Sequence, residues 1–215
     1  MSRVHPNCGD EKRCEVLDDG DVRSSFTVWK KSSMSFQGMD GFTVFDQKGG
    51  LVFRVDNYSR NENLSDGDGL VLMDGVGNVV LTLRPQGFSL RRRWNAYKGE
   101  YRVFTMKRRL RSFLTKNSKD EPVDIFLQGS PRSDPSPDYT VEGSFACRNC
   151  IVRRKNDGAL VARIARKRVK STPNVVLAND VFSLVIEPGF DTGLVMGYVL
   201  VLDRICRKPA SHPVL

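Results

Sequence analysis

The chain has 215 residues, of which 40% are hydrophobic and 27% charged, so it can bury a substantial core and is neither a disordered tail nor a fibre. Lys and Arg number 34 against 25 for Asp and Glu, and the resulting formal charge of +9 favours anionic partners such as phospholipid headgroups or nucleic acid. The two histidines, His5 and His212, lie near the termini, which argues against histidine-dependent hydrolase mechanisms.

The start of the chain is polar and acid-rich and lacks the apolar region of a secretory signal. Five cysteines are an odd count, unlike a secreted disulfide scaffold. The longest apolar stretch, residues 193–202, is about half of what a spanning helix needs. We therefore expect an intracellular, cytoplasmic protein without a transmembrane span, and a peripheral-membrane or nuclear location stays open.

Alternating apolar residues predict about a dozen short strands, an arrangement typical of a barrel or sandwich. Three segments read as β-hairpins, because two alternating runs flank a turn in which Gly stands beside Asp or Asn. Such tight turns need the positive φ that Gly adopts freely. In chain order the predictions are a strand at 26–29, hairpins at 42–55 and 70–83, strands at 88–91, 100–105, 123–128 and 139–145, a hairpin at 150–164 and a strand at 181–187.

The last element, residues 190–205, is apolar on every side and longer than these strands. A helix that is hydrophobic all round must be buried all round, and in an all-β chain of this size only the inside of a closed barrel offers that. Asp191 or Thr192 is suited to cap its start. Gly193 and Gly197 lower helix propensity but would let strand side chains approach closely. The alternative is a pair of central strands, because periodicity alone does not separate the two.

Several short strings lie along residues 26–205: Phe26-Thr-Val-Trp29-Lys30-Lys31, Gly41-Phe-Thr-Val-Phe-Asp46, Leu51-Val-Phe-Arg-Val-Asp56-Asn57-Tyr58, Val71-Leu-Met-Asp74, Arg93-Trp94, Tyr97-Lys-Gly-Glu100 and Val199-Leu-Val-Leu-Asp203. In this order they resemble the plant LURP-one-related family. The resemblance implies a mainly β, tubby-like fold, in which a closed antiparallel barrel of about twelve strands surrounds a buried hydrophobic C-terminal helix. It also implies kinship with the tubby C-terminal domain and with phospholipid scramblases, and hence membrane tethering, a link to transcription and a role in plant defence. No catalytic motif is carried over.

We accordingly expect one barrel domain over residues 25–207, preceded by a flexible N-terminal segment, 1–24, and followed by a tail, 208–215. The oligomeric state is not determined by the sequence.

Basic residues are concentrated in two segments: residues 84–119 hold twelve Lys or Arg against one acid, and residues 148–170 hold nine against one. If their strands are neighbours, these residues form one face that attracts lipid headgroups, at about 1 kcal/mol per basic residue near an anionic membrane. The alternative is that they occupy outward strand positions and merely solubilise the barrel. The candidate lipid-binding residues are Arg91, Arg92, Arg93, Lys107, Arg108, Arg109, Arg153, Arg154, Lys155, Arg166, Lys167 and Arg168.

Residues 105–116 also fit an interfacial membrane helix, because Met106, Leu110, Phe113 and Leu114 would share one helical face. A hairpin explains the same residues equally well.

Cys147 and Cys150 have the spacing of half a zinc site, but a structural zinc needs four ligands and no histidine is near, so we expect no metal and no cofactor.

The function predicted is a non-enzymatic binding module for anionic phospholipid headgroups. The alternatives are a scramblase-like lipid-translocating protein and a transcriptional partner that binds nucleic acid or protein. Neither a zinc finger nor an RNA-binding signature supports specific base reading.

Overall fold

The computed structural model describes residues 22–31, 41–57, 69–86, 93–109, 122–129, 136–168, 177 and 179–206. The predicted strand at 88–91 and the predicted tail at 208–215 lie outside these residues, as does the predicted N-terminal segment up to residue 21. Within them lie twelve strands and one helix. The strands are β1 (Ser24–Lys31), β2 (Gly41–Phe45), β3 (Leu51–Asn57), β4 (Leu70–Asp74), β5 (Val79–Pro85), β6 (Arg93–Lys98), β7 (Tyr101–Arg108), β8 (Val123–Leu127), β9 (Tyr139–Ser144), β10 (Asn149–Arg154), β11 (Leu160–Arg166) and β12 (Val181–Ile186), and the helix is α1 (Thr192–Ile205).

The strands form a closed antiparallel barrel in which each strand pairs with its neighbours in sequence. The barrel closes where β1, already paired with β2, also pairs with β12. Alternate side chains point inward, as the period of two requires. In β12, for example, Phe182, Leu184 and Ile186 are buried, whereas the residues between them are partly exposed. The predicted barrel of about twelve strands is confirmed.

Aspartates hold the tight turns between β2 and β3 and between β4 and β5. The Asp46 carboxylate accepts hydrogen bonds from the backbone N–H of Lys48 and of Gly50 at 2.8 and 2.7 Å. Asp74 plays the same role in the second hairpin, where it accepts from the backbone N–H of Gly77 at 2.7 Å. Gly77 has a φ of 108°, so the turn needs the positive φ that the sequence predicted.

Helix α1 lies inside the barrel. Its N-cap is Asp191, whose side chain accepts from the Leu194 N–H at 2.9 Å. The side chains that contact it come from opposite walls: Phe104 in β7 meets Tyr198 edge-on with ring centroids 4.7 Å apart, while Lys30 in β1 bonds Asp203. A helix on the outer surface could not touch both walls, so the central helix is confirmed and the alternative of central strands is wrong.

The close packing of strand side chains against α1 explains why the helix contains Gly193 and Gly197. A Cβ atom added at Gly197 would lie 2.8 Å from Leu81 Cδ1 and 3.2 Å from the Phe104 ring. The same addition at Gly193 would come within 2.9 Å of Val80 Cγ1. These contacts show that the two glycines let strand side chains reach the helix backbone, as predicted.

Two predictions differ from the structure. Strand β6 was not predicted, because its inward residues include the small Ala96 and its buried positions include the polar Asn95, which hide the alternation. The interfacial helix proposed from Thr105 onward is wrong for its first turn, since residues 105–108 belong to β7 and Met106 points into the core. The rest of that segment, from residue 110, lies outside the described residues.

Candidate anion-binding surface

The barrel has two ends that differ in chemistry. We call the end at which α1 finishes the upper end and the end at which it begins the lower end. Lys30, near the end of β1, bonds Asp203 in the last turn of α1, whereas Val80, near the start of β5, lies beside Gly193 in its first turn. Because all neighbouring strands are antiparallel, odd-numbered strands end at the upper end and even-numbered strands begin there.

The first basic segment gathers at the upper end. Arg93 opens β6 and pairs in register with Lys107 near the end of β7. Arg108, which closes β7, lies opposite Val123 at the start of β8, and Arg109 follows it. Arg91 and Arg92, which immediately precede Arg93, lie outside the described residues.

The second basic segment is divided between the two ends. Arg166 closes β11 at the upper end, and Lys167 and Arg168 follow it. The other three candidates, Arg153, Arg154 and Lys155, lie at the lower end, where β10 turns into β11. These two groups of basic residues are close in the sequence but lie at opposite ends of the barrel. The β10–β11 hairpin has its turn at the lower end, whereas β11 ends at the upper end. In addition, β8 and β9 lie between β7 and β10, so the candidates among the described residues do not form a single face.

Several candidate side chains already bind acidic partners within the chain. Arg109 makes a double contact with Asp124, at 2.6 and 3.1 Å. At the lower end, Arg154 pairs with Asp157 at 2.8 Å and Arg153 lies 3.3 Å from Glu142. The hydrogen bond with Arg154 holds the pKa of Asp157 below its usual value. These pairs reduce the positive charge available at the lower end.

The described acidic side chains are unevenly distributed. Over the sector of the upper end from β6 to β11, the described acid at the strand ends is Asp124, which Arg109 neutralises. Two further acids border this sector: Asp180, just before β12, and Asp203, in the last turn of α1. Acids at or next to the lower ends of strands are Asp46, Asp74, Glu100, Asp138, Asp157, Glu187 and Asp191. The upper end between β6 and β11 is therefore strongly basic, whereas the lower end has nearly balanced charges.

A cavity of about 460 Å³ opens at this upper end, between the β9–β10 turn and the end of β11. It brings together two predicted residues, Arg166 and Arg168, with Arg148, which the predictions did not include as a site residue. The Nε atom of Arg166 donates to the Cys147 carbonyl oxygen at 3.2 Å. The cavity is lined by Cys147, Arg148, Asn149, Ala165, Arg166 and Arg168.

Arg148 is held in place by aromatic rings. Its guanidinium carbon lies 4.2 Å from the Phe145 ring centroid and 4.3 Å from that of Phe182, and its Nε donates to the Asn179 carbonyl oxygen at 2.9 Å. Burial lowers the pKa of Arg148, and the nearby Asp203 carboxylate opposes that shift. Its backbone φ of 51° is unusual for a residue with a side chain. The sequence carries no signal for this site, because one arginine in a turn resembles any exposed basic residue.

The two cysteines with metal-like spacing have different surroundings: Cys147 is exposed in the β9–β10 turn, and Cys150 is buried in β10. Among the residues that the structure describes, no group of three or more His, Cys, Asp or Glu side chains is placed to hold a metal ion. In the same part of the chain, no helix has the length and apolar character needed to cross a bilayer.

Comparisons with known proteins place this architecture in a family. The LURP-one-related family model matches residues 24–203. LURP-one-related protein 5 of Arabidopsis thaliana is 46% identical, covering 88% of each chain, and LURP-one-related protein 17 of the same plant is 34% identical, covering 88% of this chain and 86% of its own. An X-ray structure of an Arabidopsis thaliana protein, 27% identical, superposes with a TM-score of 0.57 over 86% of this chain and 92% of its own. The chain therefore belongs to the LURP-one-related family.

Proposed function

We propose that the protein is a non-enzymatic binding module that docks on anionic phospholipid headgroups through the upper end of its barrel. The observation that carries this proposal is the separation of charge between the two ends. The basic residues of β6, β7 and β11 collect where the described acids are few, and Asp124, the acid beside β7, is already paired.

The end of a barrel suits a flat, charged surface better than its wall does. Strand ends from neighbouring strands reach the same plane, so several basic side chains can approach a membrane together. Each basic residue near an anionic leaflet contributes about 1 kcal/mol, and the attraction decays over roughly 8–10 Å at physiological salt. The lower end, on the opposite side of the barrel, lies beyond this range.

The test is co-sedimentation with vesicles of phosphatidylcholine, with or without phosphatidylinositol 4,5-bisphosphate, at several salt concentrations. The variant Arg91→Glu/Arg92→Glu/Arg93→Glu reverses the charge of Arg93, which opens β6, and of the two arginines that precede it in the sequence. Loss of three contributions of about 1 kcal/mol each predicts binding weakened by at least roughly 100-fold. The matched control is Lys48→Glu/Lys98→Glu/Lys155→Glu, which makes the same change in net charge on exposed side chains at the lower end.

We expect binding only to the anionic vesicles, decreasing as salt is raised, and nearly retained by the control variant. Equal loss in both triple variants would show that net charge, rather than the upper end, matters. Equal binding to neutral vesicles would overturn the proposal. Salt-sensitive binding to an unrelated duplex DNA, with none to anionic vesicles, would instead favour nucleic acid as the partner.

Under this proposal the protein acts inside the plant cell, in the cytoplasm and at the inner face of a membrane. A role in defence would follow from recruitment to that membrane. Imaging of a fluorescent fusion tests this. The variant Arg91→Glu/Arg92→Glu/Arg93→Glu should lose its membrane localisation, whereas the control Lys48→Glu/Lys98→Glu/Lys155→Glu should keep it.

A further inference from the structure

We infer that the cavity between the β9–β10 turn and the end of β11 is a site for a phosphoryl group, bound by Arg148, Arg166 and Arg168. This inference deepens the proposed function and rests on it only for one source of the phosphoryl group, a lipid headgroup. The other source is a free phosphate or phosphate ester.

The lining of the cavity fits a multiply charged oxyanion. Three arginines line it, and none of the described lining residues is acidic. Guanidinium groups present several N–H donors in a planar fork that matches phosphate oxygens, and their charge strengthens each bond. The volume of about 460 Å³ is in the range of small-molecule pockets, so a phosphorylated headgroup also fits.

Arg148 adds a buried positive charge to the site. Its side chain is only 7% exposed, yet its Nη1 atom has no hydrogen-bond partner among the residues that the structure describes. Leaving a buried charged donor unsatisfied costs folding free energy, and native proteins avoid it unless the group has a use. Because Nη1 itself is enclosed, an oxyanion in the cavity would interact with the positive charge of the whole Arg148 guanidinium rather than with that atom.

The carboxylate nearest to Arg148 is not a full partner for it. Asp203 lies 3.7 Å from Arg148 Nη2, whereas Lys30 donates to both Asp203 oxygens at 2.9 and 2.8 Å. Asp203 is therefore shared between Lys30 and Arg148, and the three arginines of the cavity carry more positive charge than this one carboxylate can balance.

The thiol of Cys147 gives the site its own reporter, because it is exposed and lines the same cavity. The experiment measures alkylation of Cys147 by N-ethylmaleimide, followed by peptide mass spectrometry. The probes are inorganic phosphate and inositol 1,4,5-trisphosphate, compared with chloride at constant ionic strength. We expect either phosphate probe to slow alkylation of Cys147 several-fold and to leave alkylation of Cys206 unchanged.

The variant Arg166→Gln/Arg168→Gln should lose this protection, since each lost charged hydrogen bond weakens binding by about tenfold. The control Lys155→Gln/Arg163→Gln makes the same charge change on exposed residues that do not line the cavity, and should keep it. Because Arg166 also bonds the Cys147 carbonyl, Arg168→Gln alone is the second variant and should lose part of the protection without altering the fold.

Vesicles separate the two sources and the two proposals. Protection by phosphate probes without vesicle binding supports the cavity and overturns membrane docking. Vesicle binding that protects Cys147 and is weakened by Arg168→Gln identifies the lipid headgroup as a source. Vesicle binding with Cys147 unprotected by every probe, and with Arg166→Gln/Arg168→Gln behaving like the parent protein, overturns the phosphoryl site and leaves membrane docking intact.

Discussion

Lys30 donates from its Nζ atom to both carboxylate oxygens of Asp203, at 2.9 and 2.8 Å, and so ties the end of β1 to the last turn of α1. The two side chains are 17% and 6% exposed. An acid on a helix that lies inside a barrel needs a cation from the wall, because an unpaired buried charge is costly. The pair therefore fixes where α1 ends along the barrel.

Replacement of Lys30 by Met should destabilise the protein by about 3 kcal/mol, because it removes the two short hydrogen bonds from Lys30 to the buried Asp203 carboxylate, whereas Arg148 lies farther away at 3.7 Å. Urea denaturation measures the change in the free energy of unfolding. The double variant Lys30→Met/Asp203→Leu removes both charges and should be more stable than Lys30→Met alone. An unfolding midpoint for Lys30→Met equal to that of the parent protein would show that the pair does not stabilise the fold.

Addition of a single methyl group to Gly197 should destabilise the barrel although alanine is the better helix former. The added Cβ would overlap Leu81 and the Phe104 ring, both almost fully buried, and overpacking of this kind costs about 1–3 kcal/mol. The gain in helix propensity, about 1 kcal/mol, offsets only part of that cost. Thermal unfolding of Gly197→Ala should show a lower midpoint, and Gly193→Ala a smaller loss, since Val80 is only partly buried. A Gly197→Ala protein more stable than the parent would contradict the close packing.

Tyr198 should make stability fall at alkaline pH. Burial raises the pKa of Tyr198 above its ordinary value of 10.0, so the folded protein keeps a proton that the unfolded chain releases. The free energy of unfolding is therefore unaffected by Tyr198 below pH 10. As the pH rises above 10 it decreases by about 1.4 kcal/mol per pH unit because of this one group. Tyr198→Phe removes the titrating group, so its stability should drop less between pH 9 and pH 11 in urea titrations. Equal decreases in the free energy of unfolding of the parent protein and of Tyr198→Phe would show that Tyr198 does not cause the loss of stability at alkaline pH.

Arg154 and Arg166 belong to the same basic segment of the sequence but should differ in their effect on membrane binding. Arg154 lies at the lower end and is bonded to Asp157, whereas Arg166 lies at the upper end beside the cavity. Arg154→Gln should bind anionic vesicles within about twofold of the parent protein, because its charge is paired and lies beyond the screening distance. Arg166→Gln makes the same change in net charge and should bind measurably less. The opposite order in co-sedimentation would place the membrane at the lower end.

The sequence by itself determined the β class and most of the strands, and it favoured a buried helix over a central strand pair. Alternating apolar residues, glycines in turns and the apolar run at 190–205 are features of short, continuous segments. They therefore indicate strands, turns and a helix without any knowledge of which elements contact one another. β6 was not predicted, because Asn95 and Ala96 interrupt the alternation of apolar and polar residues from which strands are predicted. The concentration of basic residues was equally visible, since charge can be counted along the chain.

Only the tertiary structure decided where that charge lies. The direction of each strand and its register place Arg166 at one end of the barrel and Arg154 at the other, although twelve positions separate them in the sequence. Burial of Arg148 between two rings likewise depends on residues 145 and 182, which meet only when β12 closes against β11 and β1. Long-range pairing is cooperative and leaves no local periodicity, which is why the candidate site became visible only in the folded barrel.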